Sequence, residues 1–163
     1  MSERWKRSNT SVYNTSFHLI WCPKYRRKVL DENIAKRFKE IVTSKALERG
    51  WEIKSMEVMP DHVHLFVNAK PEHSPHYIVQ QFKGVTSRLL RLEFPELKRR
   101  LPTLWTRSYY VESVGHISED TILRYIEDQN FSQLPSPCLH ICANKSSIRA
   151  FSVTFLGGRI LNL

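Results

Sequence analysis

Hydrophobic residues recur along this chain with two different spacings, and each change of spacing marks a predicted element. Between residues 31 and 49 they return every three or four positions, which predicts a helix that ends at Gly50. A second stretch with this spacing, residues 75–92, predicts a helix that Pro95 terminates. The apolar positions of the two helices are Ile34, Phe38, Ile41, Val42 and Leu47, then Ile78, Phe82, Val85, Leu89 and Leu92.

Four other stretches are rich in β-branched and aromatic residues, which predicts strands. They are residues 15–21, 51–59, 62–68 and 104–114. A third helix is expected from Ser118, which suits an N-cap and precedes two acidic residues. The order strand, helix, strand, strand, helix, strand, helix is that of a split βαβ unit. We therefore predict an α+β, ferredoxin-like fold: an antiparallel sheet with helices on one face, plus an added C-terminal helix.

The chain of 163 residues is long enough for one ordinary core and too short for two comfortable domains. Residues 1–130 carry all the predicted elements and form the predicted domain. The character of the sequence changes after residue 130, so residues 131–163 are treated as a tail for which no structure is predicted.

A formal net charge of +9 and a pI near 9.7 favour nucleic acid as the partner, because a positive field attracts polyanions. No apolar run approaches the roughly 20 residues that cross a bilayer, and the N-terminus lacks the apolar stretch of a secretory signal. The three cysteines have no spacing typical of a disulfide framework. We expect a cytoplasmic protein with no membrane partner.

The first candidate site is a pair of histidines on the predicted strand 62–68. Side chains alternate between the two faces of a strand, so His62 and His64 project together while the apolar residues between them face the core. Two imidazoles one strand period apart can converge on one divalent metal ion. Pairs of hydrogen-bonded surface histidines have the same spacing, which leaves both interpretations open.

The second candidate site is on the third predicted helix, where Tyr125 and Gln129 are four residues apart and share one face. A tyrosine hydroxyl that attacks a phosphodiester forms a covalent phosphotyrosine, which conserves the bond energy for a later rejoining step. A helical tyrosine also serves simple packing, since catalysis requires an activating partner and a positioned substrate.

Five segments in a fixed order give the chain a resemblance to a known family. Between about residue 14 and residue 129 they read HLIWCPKYRRKVL, MEVMPDHVHLFV, QQFKGVTSRLL, LWTRSYYVESVG and SEDTILRYIEDQ. Together they resemble the HUH superfamily, named for histidine, a hydrophobic residue and histidine. Within it, they resemble the IS200-like transposases of bacterial and archaeal insertion sequences, which have one catalytic tyrosine. No extension of the pattern is recognisable after Gln129.

The resemblance implies a ferredoxin-like DNA transposase that cleaves and rejoins single-stranded DNA at hairpin-bearing element ends through a 5′-phosphotyrosine intermediate. Tyr125 would be the nucleophile, and His62, His64 and Gln129 would hold one Mg²⁺ or Mn²⁺ ion. It also implies a homodimer in which the tyrosine helix of one subunit can complete the active site of the other. Asp61 could bond a ligand histidine from behind, although a turn aspartate is as often simply exposed.

Clustered basic residues are candidate DNA contacts. An aromatic ring among four cations after the first predicted strand offers a stacking surface for an unpaired base. The candidate contacts are Lys24, Tyr25, Arg26, Arg27, Lys83, Arg88 and Arg107. A charge run is also compatible with a merely solvated face.

Two other functions fit parts of this pattern. A domesticated tyrosine nuclease would apply the same chemistry to chromosomal palindromic repeats instead of moving its own element. A noncatalytic RNA-binding module is the other, because ferredoxin-like sheets with exposed aromatics also bind unpaired RNA bases. No convincing run of the RNP1 type occurs in the sequence, which disfavours the second.

Overall fold

The structure, a computed structural model, describes residues 6–7 and 9–114. A short 3₁₀ helix spans Lys24–Arg26. The strands are β1 (Lys6–Arg7), β2 (Val12–Tyr13), β3 (Ser16–Trp21), β4 (Glu52–Met59), β5 (His62–Asn68) and β6 (Tyr110–Val114); the α-helices are α1 (Glu32–Arg49), α2 (Pro75–Glu93) and α3 (Pro95–Arg100).

Four strands form an antiparallel sheet in the order β4-β5-β3-β6. Helix α1 connects β3 to β4, which lies beyond β5, and α2 connects β5 to β6, which lies beyond β3. Two such interleaved crossovers define the split βαβ arrangement of ferredoxin-like domains. The predicted α+β fold is confirmed. The added helix expected from Ser118 and the domain boundary at residue 130 lie outside the described residues.

Both long helices begin and end where local chemistry dictates. The Asp31 carboxylate accepts a hydrogen bond from the Ile34 backbone N–H at 2.9 Å, and Gly50 ends α1 with a left-handed φ of 66°. The Ser74 hydroxyl caps α2 by accepting from the Tyr77 N–H at 3.2 Å. The proline predicted to terminate this helix does follow it, and that residue also begins the short helix α3.

The hydrophobic core lies between the two long helices and one face of the sheet. Residues 17, 19 and 21 of β3 and residues 63, 65 and 67 of β5 supply the sheet side of this core. Phe38 of α1 and Phe82 of α2 supply the helix side, and both are fully buried. Because side chains alternate, the even-numbered residues of β3 and β5 occupy the opposite face, where the candidate site lies.

The strand predicted over residues 104–114 was wrong in its first half. Only Tyr110–Val114 pairs as a strand, while the preceding segment crosses towards α2 and the loop after β3. Leu104 and Trp105 are buried, and the Trp105 indole N–H donates to the Thr86 hydroxyl at 3.0 Å. The apolar character of the segment therefore reflects burial in the core, not pairing in the sheet.

The paired strands β1 and β2 were not predicted; each contains only two residues, which is too short for a periodic signal.

Within the described ranges, no helix is long and apolar enough to span a membrane.

Candidate active site

The candidate histidines lie on β5 and face away from the hydrophobic core. His62 and His64 retain 6% and 0% of their accessible surface, so they are not the surface pair that the spacing also allowed. Their ring centroids are 5.0 Å apart, with the ring planes inclined by 71°. Register places Ile20 of β3 on one side of His64 and Glu57 of β4 on the other.

His62 is held from behind by a chain of charged groups. Its Nδ1 lies 2.6 Å from Asp61 Oδ1, and Asp61 Oδ2 accepts a hydrogen bond from Arg26 Nε at 2.8 Å. The hydrogen bond from His62 and the ion pair with Arg26 lower the pKa of Asp61 to about 2, although partial burial opposes this shift. An ionised Asp61 can only accept a hydrogen bond, so His62 donates its Nδ1–H to it, and in the neutral imidazole the lone pair is then on Nε2.

His64 is held from behind by a third histidine. His18, on β3, places its Nε2 3.1 Å from His64 Nδ1, and the two rings stack with centroids 5.4 Å apart. Burial lowers the pKa of His18 to about 4. Burial, with smaller contributions from the neighbouring histidines, lowers the pKa of His64 to about 3. Both rings are therefore neutral near pH 7, the form in which imidazole binds a metal ion.

The donor atoms of this pair fit a divalent ion. His62 Nε2 is buried and has no hydrogen-bond partner among the described residues, which is costly for a polar atom unless a ligand uses its lone pair. Across residues 6–7 and 9–114, no group of three or more His, Cys, Asp or Glu side chains is arranged to hold an ion. A complete coordination sphere therefore needs a donor of another type or from another part of the chain. Tyr125 and Gln129, the predicted nucleophile and third ligand, lie outside the described residues.

The turn after β3 has an unusual backbone conformation beside this site. Tyr25 and Arg26 both adopt left-handed φ angles, 61° and 51°. A left-handed non-glycine residue costs on the order of 1–3 kcal/mol, and such residues cluster at functional sites. In this turn Arg26 reaches Asp61, and Tyr25 is 66% exposed, with Lys24 Nζ 5.5 Å from the centroid of its ring.

The other predicted DNA contacts divide into two kinds. Arg27 donates to the Arg100 carbonyl at 3.2 Å, and Lys83 Nζ contacts the carbonyls of residues 106, 107 and 108 at 2.7–3.3 Å. Burial lowers the pKa of Lys83 to about 8, so it stays mainly protonated at pH 7. Arg26 is paired with Asp61. Arg26, Arg27 and Lys83 thus already bond other groups of the protein. Arg88 and Arg107 are exposed.

An open cleft of about 740 Å³ between α2 and the segment before β6 collects basic side chains. Lys83, Arg88, Arg91, Lys98 and Arg107 line it, with Tyr109 among them. Within the described ranges, none of these five cations forms an ion pair with an acidic side chain. The cleft is therefore a concentrated positive surface. Arg91 and Lys98 belong to the clustered basic residues of the sequence but were not among the predicted contacts; Arg91 follows Arg88 by three residues on α2, and Lys98 reaches the cleft from α3.

His18 was also missed by the sequence reasoning. The available signal was a histidine inside an aromatic and aliphatic strand, where a buried polar ring needs a partner. Only the register of β3 against β5 identifies that partner.

Residues 11–129 match the family model described as "Transposase IS200 like". The chain belongs to the IS200-like transposase family. It is 39% identical over 127 residues to the ISDra2 transposase TnpA of Deinococcus radiodurans, across 77% of this chain and 91% of that protein. It is 26% identical over 126 residues to the Salmonella typhimurium transposase for insertion sequence element IS200, across 74% of this chain and 83% of the relative.

Solved structures agree with this assignment. A transposase crystal structure from Deinococcus radiodurans superimposes with a TM-score of 0.64 at 38% identity, covering 76% of this IS200-like transposase and 97% of that chain. A REP-associated tyrosine transposase, solved bound to a REP hairpin, gives a TM-score of 0.55 at 14% identity, over 96% and 100%, and shares the fold. The resemblance seen in the sequence is confirmed, and the protein is a DNA-processing enzyme rather than a noncatalytic RNA-binding module.

Proposed function

We propose that this IS200-like transposase cleaves and rejoins single-stranded DNA at hairpin-bearing element ends through a covalent phosphotyrosine on Tyr125. The observation that carries the proposal is the buried histidine pair: His62 and His64 each have Nδ1 engaged by another side chain, and His62 presents a buried Nε2 that no described residue bonds. The family match extends to residue 129, so it includes Tyr125 and Gln129.

The chemistry needs one bond formed and one broken in each direction. The Tyr125 phenol oxygen bonds to phosphorus while the bond from phosphorus to the 3′ oxygen breaks. The phenol loses a proton and the departing 3′ oxygen gains one. The product is a 5′-phosphotyrosine and a 3′-hydroxyl, and attack by the 3′-hydroxyl of a second DNA end reverses the step at a new junction. Cutting and joining need no external energy source.

His62, His64 and Gln129 would hold one divalent cation. When bound, the ion supplies charge stabilisation at a nonbridging oxygen of the scissile phosphate. Imidazole nitrogens bind divalent transition ions, whereas Mg²⁺ takes oxygen ligands. Of the two predicted ions, Mn²⁺ therefore suits the histidines better, and Mg²⁺ would depend more on the amide, the phosphate and water. Asp61 and its partner Arg26 hold the His62 ring in place for this role.

The DNA would be held at two surfaces. We propose that the basic cleft binds phosphates of the hairpin, with Arg88 and Arg107 as exposed contacts. The Tyr25 ring, with Lys24 beside it, is the proposed stacking surface for an unpaired base next to the histidine site. The proposed active unit is a homodimer whose subunits share active sites.

Purified protein incubated with end-labelled single-stranded hairpin DNA and Mn²⁺ or Mg²⁺ tests the proposal. The expected product is a labelled protein band that survives denaturation and is lost when a chelator is present from the start. Cleavage that leaves no protein-linked strand would overturn the phosphotyrosine pathway. Replacing the element-end hairpin with scattered chromosomal palindromes separates a transposase from a domesticated nuclease.

Tyr25 provides a test of base stacking that does not disturb the backbone. In Tyr25→Gly the ring is removed, and glycine adopts the left-handed φ of this position without strain. We expect binding to DNA with an unpaired flank to weaken by about 1–3 kcal/mol, the usual value of one stacked base, while thermal stability does not fall. Fluorescence anisotropy and thermal unfolding measure the two quantities. Tyr25→Phe keeps the ring and should bind as wild type does; equal binding by the glycine variant would exclude stacking at this residue.

Arg88 provides a test of the cleft. Arg88→Gln should weaken hairpin binding and reduce the slope of log affinity against log salt concentration by about 0.9, the value for one duplex phosphate contact. Lys39→Gln removes the same charge from the exposed surface of α1, outside the cleft, and should leave the slope unchanged. Titrations at four salt concentrations give the comparison. Equal slopes for the two variants would mean that the cleft binds no phosphate at Arg88.

A further inference from the structure

His18 occupies a place that the proposed reaction does not yet explain. It lies in the middle of β3, paired in register with Phe66, and only 3% of its surface is exposed. Its ring stacks on His64, and Tyr110 of β6 packs against it edge-on at 6.4 Å. A polar ring at such a depth is costly unless its nitrogens are used. The contact in question is the 3.1 Å approach of His18 Nε2 to His64 Nδ1.

A hydrogen bond between two neutral imidazoles contains one proton. Whether His18 or His64 donates it determines which nitrogen of His64 can bind an ion. If His64 Nδ1–H donates to His18 Nε2, the lone pair of His64 is on Nε2. If His18 Nε2–H donates instead, His64 carries its own proton on Nε2, and that atom cannot be a ligand. The partner of one ring nitrogen thus selects the ligand atom at the other.

We propose that His18 is a positioning residue that accepts the Nδ1–H of His64 and so holds Nε2 of His64 as the metal-binding atom. His18 then has for His64 the role that Asp61 has for His62, since each lies behind the Nδ1 of its histidine. Together the two contacts would give both rings the same tautomer. The inference rests on the proposed metal site of the transposase and assigns a residue that supports it.

The choice of histidine over carboxylate follows from burial. Asp61 is partly exposed and has Arg26 as counter-charge, so an ionised acceptor is tolerated there. No ion pair of His18 occurs within the described ranges, and the residue is almost fully buried, where an unpaired carboxylate would carry a large desolvation cost. A neutral imidazole accepts the same hydrogen bond without that cost, and its flat ring also packs on His64.

The tautomer of His64 can be measured without metal or DNA. Long-range ¹⁵N NMR correlations of the metal-free protein should show His64 protonated at Nδ1. In His18→Phe, which keeps a flat ring but has no acceptor, the signal should shift towards the Nε2–H form. In His18→Gln, whose amide oxygen can accept, the Nδ1–H form should persist. A wild-type His64 protonated at Nε2, or an unchanged tautomer in His18→Phe, would overturn the assignment.

Mn²⁺ binding by calorimetry is the second readout. Loss of such an outer partner typically lowers metal affinity by about 10- to 100-fold, which we expect for His18→Phe, with His18→Gln close to wild type. Ile20→Val trims a buried side chain on the same face of β3 without touching the hydrogen bond and should bind Mn²⁺ as wild type does. An affinity of His18→Phe within twofold of wild type would count against the role.

The two readouts also separate this inference from the proposed metal site. If wild-type protein holds His64 in the Nδ1–H form but binds no Mn²⁺, the metal site fails while the hydrogen-bond assignment stands. If His18→Phe does not fold, the wild-type tautomer and the His18→Gln variant still decide the matter, because neither depends on the phenylalanine protein.

Discussion

Replacing Tyr125 with phenylalanine is expected to abolish the covalent protein–DNA adduct and to lower the cleavage rate by about 10⁴-fold or more, the scale seen when an enzyme loses its nucleophile. Phenylalanine keeps the ring and removes only the oxygen that would bond to phosphorus. Hairpin affinity should stay within about twofold, since phosphate and base contacts position DNA independently of the nucleophile. A denaturing gel with labelled hairpin DNA measures the adduct, and anisotropy measures binding.

The matched control for this variant is Tyr110→Phe. Tyr110 is the tyrosine that packs edge-on against His18, so among the described tyrosines it has a ring next to the histidine cluster. Its hydroxyl contacts Glu112 at 3.4 Å. We expect Tyr110→Phe to form the adduct at close to the wild-type rate. An adduct that survives in Tyr125→Phe and maps by peptide sequencing to Tyr110 would reassign the nucleophile.

Periodicity predicted α1 and β5 because one side of each packs into the core. In α1 the buried residues recur at helical spacing, and in β5 every second residue belongs to the hydrophobic core although both faces of the strand are buried, so the existence and bounds of both were predicted within a residue or two. Residues 104–109 were wrongly predicted as strand because their apolar side chains are buried without strand pairing. The Trp105 side chain packs against Trp21 and Phe38, while its backbone forms a single β-bridge, to Pro23, outside the sheet. Apolar composition reports burial; it does not report which backbone groups pair.

Only the part of the candidate site that depends on local residue spacing could be predicted from the sequence. Alternation along one strand is enough to place His62 and His64 on a common face. The contact between His18 and His64 joins residues 46 positions apart, and it depends on strand register, which no local pattern contains. The left-handed turn at Tyr25 depends in the same way on what surrounds it, since an isolated tyrosine avoids this conformation.

The net charge could likewise be predicted from the sequence, but its distribution over the surface depends on the fold. The excess of nine positive charges predicts a polyanionic partner without saying which surface binds it. In the fold, Arg37 pairs with Glu93 and Glu40, and Lys45 pairs with Glu48, so part of the charge on the outer surface of α1 is neutralised. Within the described residues, the five cations of the basic cleft have no acidic partner, so their charge is available to a ligand.

Removing either histidine of the pair is expected to eliminate Mn²⁺ binding and to slow adduct formation by at least about 100-fold, the scale for losing one electrostatic contact to a transition state. His62→Ala and His64→Ala each leave the proposed ion with too few protein donors to hold it. Hairpin affinity should remain nearly unchanged, because the proposed DNA contacts lie elsewhere. Calorimetry, adduct formation and anisotropy measure the three quantities. His73→Gln, which retains an acceptor for the Trp51 indole N–H, is the control and should behave as wild type.

Mixing two inactive variants then shows whether subunits share active sites. A dimer with one His64→Ala subunit and one Tyr125→Phe subunit has an intact histidine pair in one chain and an intact tyrosine in the other. If the tyrosine helix acts across the dimer, these complete one site, and random pairing of coexpressed subunits should restore roughly a quarter of wild-type adduct formation. If each subunit uses its own tyrosine, every site lacks one component and the mixture stays inactive. Recovery in the mixture, together with its absence in either variant alone, is the result that the proposed shared site requires.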